Sequence, residues 1–457
     1  MARGILGWGA YVPYRRLDRT TIAAVAGGGG GKGTRSVASY DEDATTMAVE
    51  AARIATRSTP DVQPLSVWFA TTSPPYLDKT NATAIHAALR LPRDAAAFDA
   101  GGAVRSTIGA LRAGMHDHAP ALVVASDVRT GLPGSADESA FGDGAAALLV
   151  GEGDAVAELI ASGTSTEEFV DRWRTPGDIR SKIWEERFGE TRYTALGADA
   201  WDAALKQAGI AAGDVDRVVV ASTHDRAVKA VTKKLGVSPD ALDAGELSST
   251  IGNVGAAQPL LVLCSALEAA SPGQTIALVV LADGADVVLF RTTAAVGARR
   301  SVRSVAEQVS SGGAVSYGKY LAWRGVLPVQ PPNRPEPARP SSSAAGRSID
   351  WKYGFVGSEA GDGSVHLPPS PHDDTARPMS EATGTIVTFT IDKLAYSPSP
   401  PVVFAVVDFD GGGRLPVELT DVDPDEVAIG ARVEMTFRKL FTADGIHNYF
   451  WKARLVR

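Results

Sequence analysis

Two hydrophobic rhythms alternate along the first 295 residues. "TTMAVEAARIA" (45–55) places apolar side chains three and four apart, which predicts an amphipathic helix, and "LSVWFATTSPP" (65–75) is a short continuous apolar run, which predicts a buried strand. The order recurs later: "GADAWDAALKQAGI" (197–210) predicts a helix and "RVVVASTHDR" (217–226) a strand that, like the first, ends in Ser/Thr. Each half then closes on apolar strands around a Gly-centred turn. These are "APALVVASDVR" (119–129) with "FGDGAAALLVGEG" (141–153), and "QTIALVVLADGADVVLFRTT" (274–293). A repeat this long is no solenoid unit, so we read a duplicated domain, a layered α/β sandwich in which a site sits where the halves meet, at strand ends.

After residue 295 the pattern changes. "LPVQPPNRPEPARPSSSAAGR" (327–347) is Pro/Ser-rich and predicts an extended linker or strap. From Gly384 onward the strands alternate: "GTIVTFTIDKL", "PVVFAVVDFDGGGRLPVELT", "ARVEMTFRKL" and "NYFWKARLVR" predict a small barrel of the OB type. The boundaries read as halves 1–150 and 151–297, a connector 298–348, a segment 349–383 and a barrel 384–457.

Composition narrows the classes. A net charge of -8 with no basic stripe argues against a nucleic-acid partner, for the barrel as for the whole. One cysteine rules out an intramolecular disulfide and a cysteine-built zinc site. With no membrane-length apolar run and no signal-peptide pattern, a cytoplasmic protein is the expectation.

Several tempting motifs read blandly. In "GGGGGKGTRS" (27–36), Lys32 is followed by Gly33 rather than Ser or Thr, so a surface loop is expected; a role for Lys32 or Arg35 in meeting a ligand phosphate stays open. Cys264 lies in the apolar run "PLLVLCSALEAA" and reads as a core residue. His116 and His118 have no further ligands nearby, and His86 reads as packed or half-exposed on a helix. "FDAGGAVRSTIGALRAG" (98–114) is different: a strand end, a Gly-rich turn and a helix start, the geometry of a nucleophile elbow without a nucleophile.

"GWGAYVPYRRL", "YDEDATTMAVEAAR", the elbow, "FGDGAAALLVG", "STHDRAVKAVTKKLG" and "GNVGAAQPLLVLCSALEAASPGQ" occur in an order that resembles the thiolase-fold enzymes, in particular the hydroxymethylglutaryl-CoA synthase and ketoacyl synthase III branch. The resemblance spans nearly all of the first 295 residues and implies a five-layer αβαβα sandwich acting as a homodimer. "KYGFVGSEAGDGSVHLPPS" (352–370) and the barrel resemble the zinc-ribbon/OB-fold acyl-CoA proteins that partner thiolases, here in one chain. Glu359, Ala360, Gly361 and Gly363 stand in the ribbon stretch in place of cysteines, so no zinc is expected.

The resemblance also assigns a site. The acyl-accepting cysteine position falls on Val104 and the general-acid glutamate position on Thr72, whereas His224 and Asn253 match the family's pair that polarises a thioester carbonyl. Arg226 and Ala227 replace the Asn or Pro that follows the family histidine. Tyr76 is the candidate proton-transfer residue or a loop-packing residue, with Ser106 and Asp99 as weaker candidates; Val104, Ser106, Thr72 and Lys229 are expected around the substrate. Coenzyme A enters only as part of the substrate, an acyl-CoA or acyl-carrier thioester, and no bound cofactor is expected. Without a thiol a covalent acyl step is disfavoured. The expected chemistry is therefore an aldolase- or retro-aldolase-type C–C lyase. The alternatives are a synthase-like acyltransferase and a non-catalytic thioester-binding partner.

Overall fold

Asp43 starts the first long helix. Its carboxylate accepts the Thr46 N–H at 2.9 Å while the Thr46 hydroxyl accepts the Asp43 N–H, closing a reciprocal cap on Ala44–Arg57. In a computed structural model, which describes residues 3–243, 245–299, 301–373 and 375–457, that helix packs on a nine-stranded sheet. The first half supplies Arg3–Tyr11, Gly144–Glu152, Ala121–Asp127, Ser66–Thr71 and Ala96–Gly101, in that spatial order. The second supplies Ala157–Ser165, Ala285–Thr292, Thr275–Leu281 and Arg217–Ser222. Within the sheet the halves join where Gly4 and Ile5 pair with Glu158 and Ala157.

Helices on three levels complete five layers. Ser106–His116 and Gln258–Glu268 lie between the halves, their Ile108, Leu111, Leu260 and Leu263 in one core with Val123, Leu148, Leu278 and Val280. Ala44–Arg57 covers the outer face of the first half and Glu186–Ala208 that of the second. That last helix begins eleven residues before the 197–210 pattern, because its first turns are charged and half-exposed and carry no apolar stripe. The described residues include no helix long and apolar enough to cross a membrane.

Val356–Glu359, Val365–His366 and Thr375–Pro378 form a small sheet in the ribbon segment. Its tip is closed by hydrogen bonds rather than by thiolates. Ser358 Oγ donates to Asp373 at 2.7 Å, His366 Nδ1 meets the same carboxylate at 2.6 Å, and the Ser370 N–H donates to Ser358. These donors are spent on one another, and among the described residues no group of three His, Cys, Asp or Glu side chains converges; the set does not suit zinc.

Thr383–Asp392, Val402–Phe409, Arg414–Leu419, Ile446–Leu455 and Arg432–Ala443 close into a five-stranded barrel. It is no tethered bead. Its Met435, Phe437 and Trp451 share an apolar core with Met47, Ala48 and Ala51 of the body. Beside that core lies a seam of buried charge. Lys452 Nζ sits 3.0 Å from Asp41, and Arg438 lies 3.0 Å from Glu42 and 2.7 Å from Asp421, all five side chains essentially fully buried. Arg438 also donates to the Tyr11 hydroxyl, which donates to Glu42 at 2.5 Å. Glu50 meets Arg53 at 2.7 Å and Arg454 at 3.3 Å. Burial alone would raise the Glu50 carboxyl, but Arg53 and Arg454 outweigh it and pull the pKa down to about 2. Burial dominates at Glu42 and pushes its pKa up to about 7.

Arg438→Met would leave Glu42 and Asp421 without their shared cation, and breaking a buried pair in this way costs about 3–5 kcal/mol, read as a lower urea midpoint. Glu50 contributes stability above the ordinary carboxylate value of 4.5 that is lost as pH falls towards 2. Glu50→Gln should therefore flatten the acid limb of a stability-versus-pH curve over that window, although its midpoint near neutrality will be lower.

Candidate active site

The strands of both halves end on a common patch, and the loop Asn253–Ala256 stitches it together. Asn253 forms a parallel bridge with Phe141, and its carbonyl accepts the Gly142 N–H. Gly142 allows this closeness: a Cβ there would lie 1.8 Å from the Ile251 carbonyl oxygen. Three residues on from Asn253, the Ala256 N–H donates to Asp127 at 2.7 Å and its carbonyl accepts the Thr107 hydroxyl at 2.6 Å. The loop thus touches the strand that ends at Asp127 and the helix that begins at Ser106.

His224 and Asn253 meet at the end of the Arg217–Ser222 strand. Asn253 Nδ2 donates to the Ser222 carbonyl at 2.6 Å and Ser222 Oγ accepts the His224 N–H at 3.1 Å. His224 caps the next helix through Nδ1, which accepts the Ala227 N–H at 3.1 Å, so Nε2 carries the ring hydrogen. That hydrogen points at the Glu186 carbonyl, 2.9 Å away. Asn253 Oδ1 accepts from Gly255 N–H, leaving one of its amide hydrogens for another acceptor.

Val104 sits in the turn before the Ser106–His116 helix, half-buried against the central core. Ser106 Oγ donates to the Gly101 carbonyl at 3.0 Å. Arg105, between them, pairs with Asp286 at 2.8 Å and donates to the Asp283 carbonyl. Thr72 lies at the end of Ser66–Thr71. Both its N–H and hydroxyl donate to Asp127, at 2.6 and 2.7 Å, and its oxygen accepts from Arg129 at 2.9 Å. Arg174, from across the molecule, donates to the Thr72 carbonyl.

Other sequence candidates stand apart from this patch. The Tyr76 hydroxyl accepts the His447 N–H of the barrel at 2.7 Å, and Asp99 caps the Ala82–Ala88 helix through the N–H groups of Asn81 and Ala82. Lys229 is exposed on Asp225–Thr232. Arg35 is fully buried beside Asp143, its guanidinium donating to the carbonyls of Glu138 and Arg129, so it is unavailable to a ligand phosphate. Lys32 is exposed, but its loop is pinned, with the Gly30 N–H donating to Ser139. Cys264 is buried, which pushes its thiol pKa up. His86 bonds the Pro92 carbonyl and His116 the Arg112 carbonyl.

Sequence reasoning missed Asp171, Tyr193 and Asp127. Asp171 is 5% exposed, burial raises its pKa, and its Oδ1 has no hydrogen-bond partner while lying 4.0 Å from His224 Nε2. Tyr193 borders His224: its ring lies 5.8 Å from that of His224, and its hydroxyl accepts the Asp283 N–H at 3.3 Å. Asp171 follows the string "STEEFV", which has no periodicity, and only the fold brings it to His224; "HDR" alone gives no hint of it.

Two stacked halves, an elbow between them and a converging loop define the thiolase class of fold. Residues 205–288 match the 3-oxoacyl-[acyl-carrier-protein] synthase III C-terminal family model, and residues 376–438 match the ChsH2 C-terminal OB-fold domain. The chain is 31% identical to the hydroxymethylglutaryl-CoA synthase of Aeropyrum pernix over 72% of its own length and 95% of that protein. It is 29% identical to that of Methanosphaera stadtmanae over 71% and 99%. Among solved structures, an HMG-CoA synthase complexed with CoA superposes with a TM-score of 0.61 at 20% identity, over 70% of this chain and 89% of that one. MvaS in complex with 3-hydroxy-3-methylglutaryl coenzyme A gives 0.60 at 22%, over 74% and 94%. The chain belongs to the hydroxymethylglutaryl-CoA synthase family.

Asp127 is the hub of the patch, accepting from Thr71, Thr72 and Ala256. Asp127→Asn would turn an amide NH2 against N–H donors, and one stranded buried donor costs about 1–3 kcal/mol. The expected outcome is a lowered thermal midpoint with an intact far-ultraviolet spectrum.

Proposed function

We propose that this chain forms a C–C bond between acyl thioesters by aldol-type addition, with both reactants held non-covalently. One observation carries the reading: a valine, Val104, stands at the helix start where the resemblance puts the acyl-accepting cysteine, while the His224–Asn253 pair keeps its place. The thioester loses its α-proton, the resulting enolate carbon attacks the acceptor's ketone carbon, and the alkoxide formed takes up a proton. The ring N–H of His224 and the spare amide hydrogen of Asn253 are suited to stabilise the oxyanion, once His224 turns from the Glu186 carbonyl to the substrate. Asp171, with its free Oδ1 and raised pKa, is the base closest in kind to what proton removal needs.

The relatives named as synthases favour bond formation over cleavage. Cleavage would be the same path in reverse. Neighbours solved with CoA and with holo donor-ACP support a CoA or carrier-borne thioester as the ligand. The edge strand Ala96–Gly101, with Phe98 46% exposed, supports homodimerisation through the thiolase-like body. The closed hydrogen bonding of His224 favours one second reading, a thioester-binding protein without turnover.

Incubation with acetyl-CoA should leave the intact mass unchanged, and a stable acetyl adduct on the elbow would overturn the non-covalent step. With paired acyl-CoA substrates followed by mass spectrometry, His224→Ala should slow product formation by about a hundred- to a thousandfold, the usual effect of losing one oxyanion donor. Full activity in that variant sinks the assignment of His224. CoA binding by a wild type that forms no product would favour the second reading.

A further inference from the structure

The loop 72–81 leaves the end of the Ser66–Thr71 strand and carries Thr72 at its start. Its base is tied twice, by Asp127 at Thr72 and by Asn81, whose side chain accepts the Tyr76 N–H at 3.1 Å and donates to the Tyr76 carbonyl. Between these ties lie Pro74 and Pro75, which have no N–H to donate, so that stretch makes no backbone-donated hydrogen bond of its own.

The barrel supplies the brace. The turn joining Arg432–Ala443 to Ile446–Leu455 lies on the loop's crown, where the His447 N–H donates to Tyr76 Oη at 2.7 Å and the two rings lie tilted against each other, 4.9 Å between centroids. Nδ1 of the imidazole bonds the Thr442 hydroxyl at 2.8 Å. Behind His447, Tyr449 donates to Asp43 at 2.8 Å, and Asp43 caps the Ala44–Arg57 helix. The brace therefore rests on the body's first long helix.

We propose that His447 is a positioning residue for the active-site loop: the barrel holds Tyr76, and through it the strand-end Thr72, in register with Asp127. Tyr76 is then the loop's anchor and not its acid. The barrel belongs to the site although it offers no group to the substrate. This holds whatever the reaction; only the kinetic arm of its test rests on the C–C bond-forming reading.

The test is hydrogen exchange on the full-length chain, following the amides of residues 72–81. Loss of one neutral hydrogen bond corresponds to about a tenfold change, so Tyr76→Phe, which removes the acceptor of the His447 N–H, should exchange there about tenfold faster, and His447→Ala, which keeps that N–H but loses the ring contact, should also exchange faster, by less. Peptides from Ala44–Arg57 and from the barrel strands should keep their protection. In the kinetic arm, Tyr76→Phe should lower kcat with little change in KM for the thioester, because the pocket remains while its register loosens. His447→Phe, which keeps an aromatic ring against Tyr76, should keep most of the protection that His447→Ala loses. Unchanged exchange in 72–81 in Tyr76→Phe, a variant that removes one hydroxyl only, overturns the proposal even if His447→Ala fails to fold. If the wild type turns over no thioester, the bond-forming reading fails and the exchange data alone decide the positioning role.

Discussion

Buried charge at the joint between body and barrel is the constraint from which the rest of the architecture follows. Asp41 and Glu42 project from the segment before the first long helix and Glu50 from its middle, and Arg438, Lys452 and Arg454 from two neighbouring barrel strands. Each set alone would be a row of charges in a water-poor cleft. Together they neutralise one another, and because such pairs tolerate little displacement they fix the barrel's orientation more sharply than apolar packing would. The apolar contacts of Phe437 and Trp451 supply attraction; the ion pairs supply register.

That register reaches the active site. The same helix that carries Glu50 is capped by Asp43, and Asp43 also receives Tyr449 beside the turn that touches Tyr76. On the other side of the patch the loop Asn253–Ala256 ties Asp127 to the central helix and to the end of the Arg217–Ser222 strand. The chemistry is thus held by side chains whose partners come from both halves and from the barrel. What differs from the resemblance is the reacting centre: a valine and a threonine stand at two of its positions, and the buried Asp171 lies beside the retained histidine.

The fold was legible where the chain repeats one period over a long stretch. The Ala44–Arg57 helix, the apolar strands of both halves and the five barrel strands all announce themselves in the spacing of apolar residues. The start of Glu186–Ala208 did not, because charged, half-exposed turns carry no stripe. The seam was hidden for a different reason. In "RVEMTFRKL" and "YFWKARL" the charged residues fall on the outward positions of alternating strands, and alternation cannot distinguish a face turned to water from one turned to another domain's carboxylates. His224 and Asn253 were legible through short motifs at strand and loop ends. Their closed hydrogen bonding, the nearness of Asp171 and the capture of Tyr76 by the barrel depend on contacts between distant segments, which no local string records.

The barrel and the body share one polypeptide, and this changes what the seam must achieve. For two separate proteins the charged interface would have to repay the loss of free tumbling at every encounter, and occupancy would follow the scarcer partner's concentration. A tether turns that encounter into an internal equilibrium with an effective concentration set by linker length, commonly in the millimolar range for short flexible connections. Each body therefore always has one barrel at hand, and a substitution that would dissolve a two-chain complex leaves this one largely assembled. Drift at the seam is buffered by the covalent link, so residues such as Arg438 are free to be selected for the geometry they impose and not for the affinity they add.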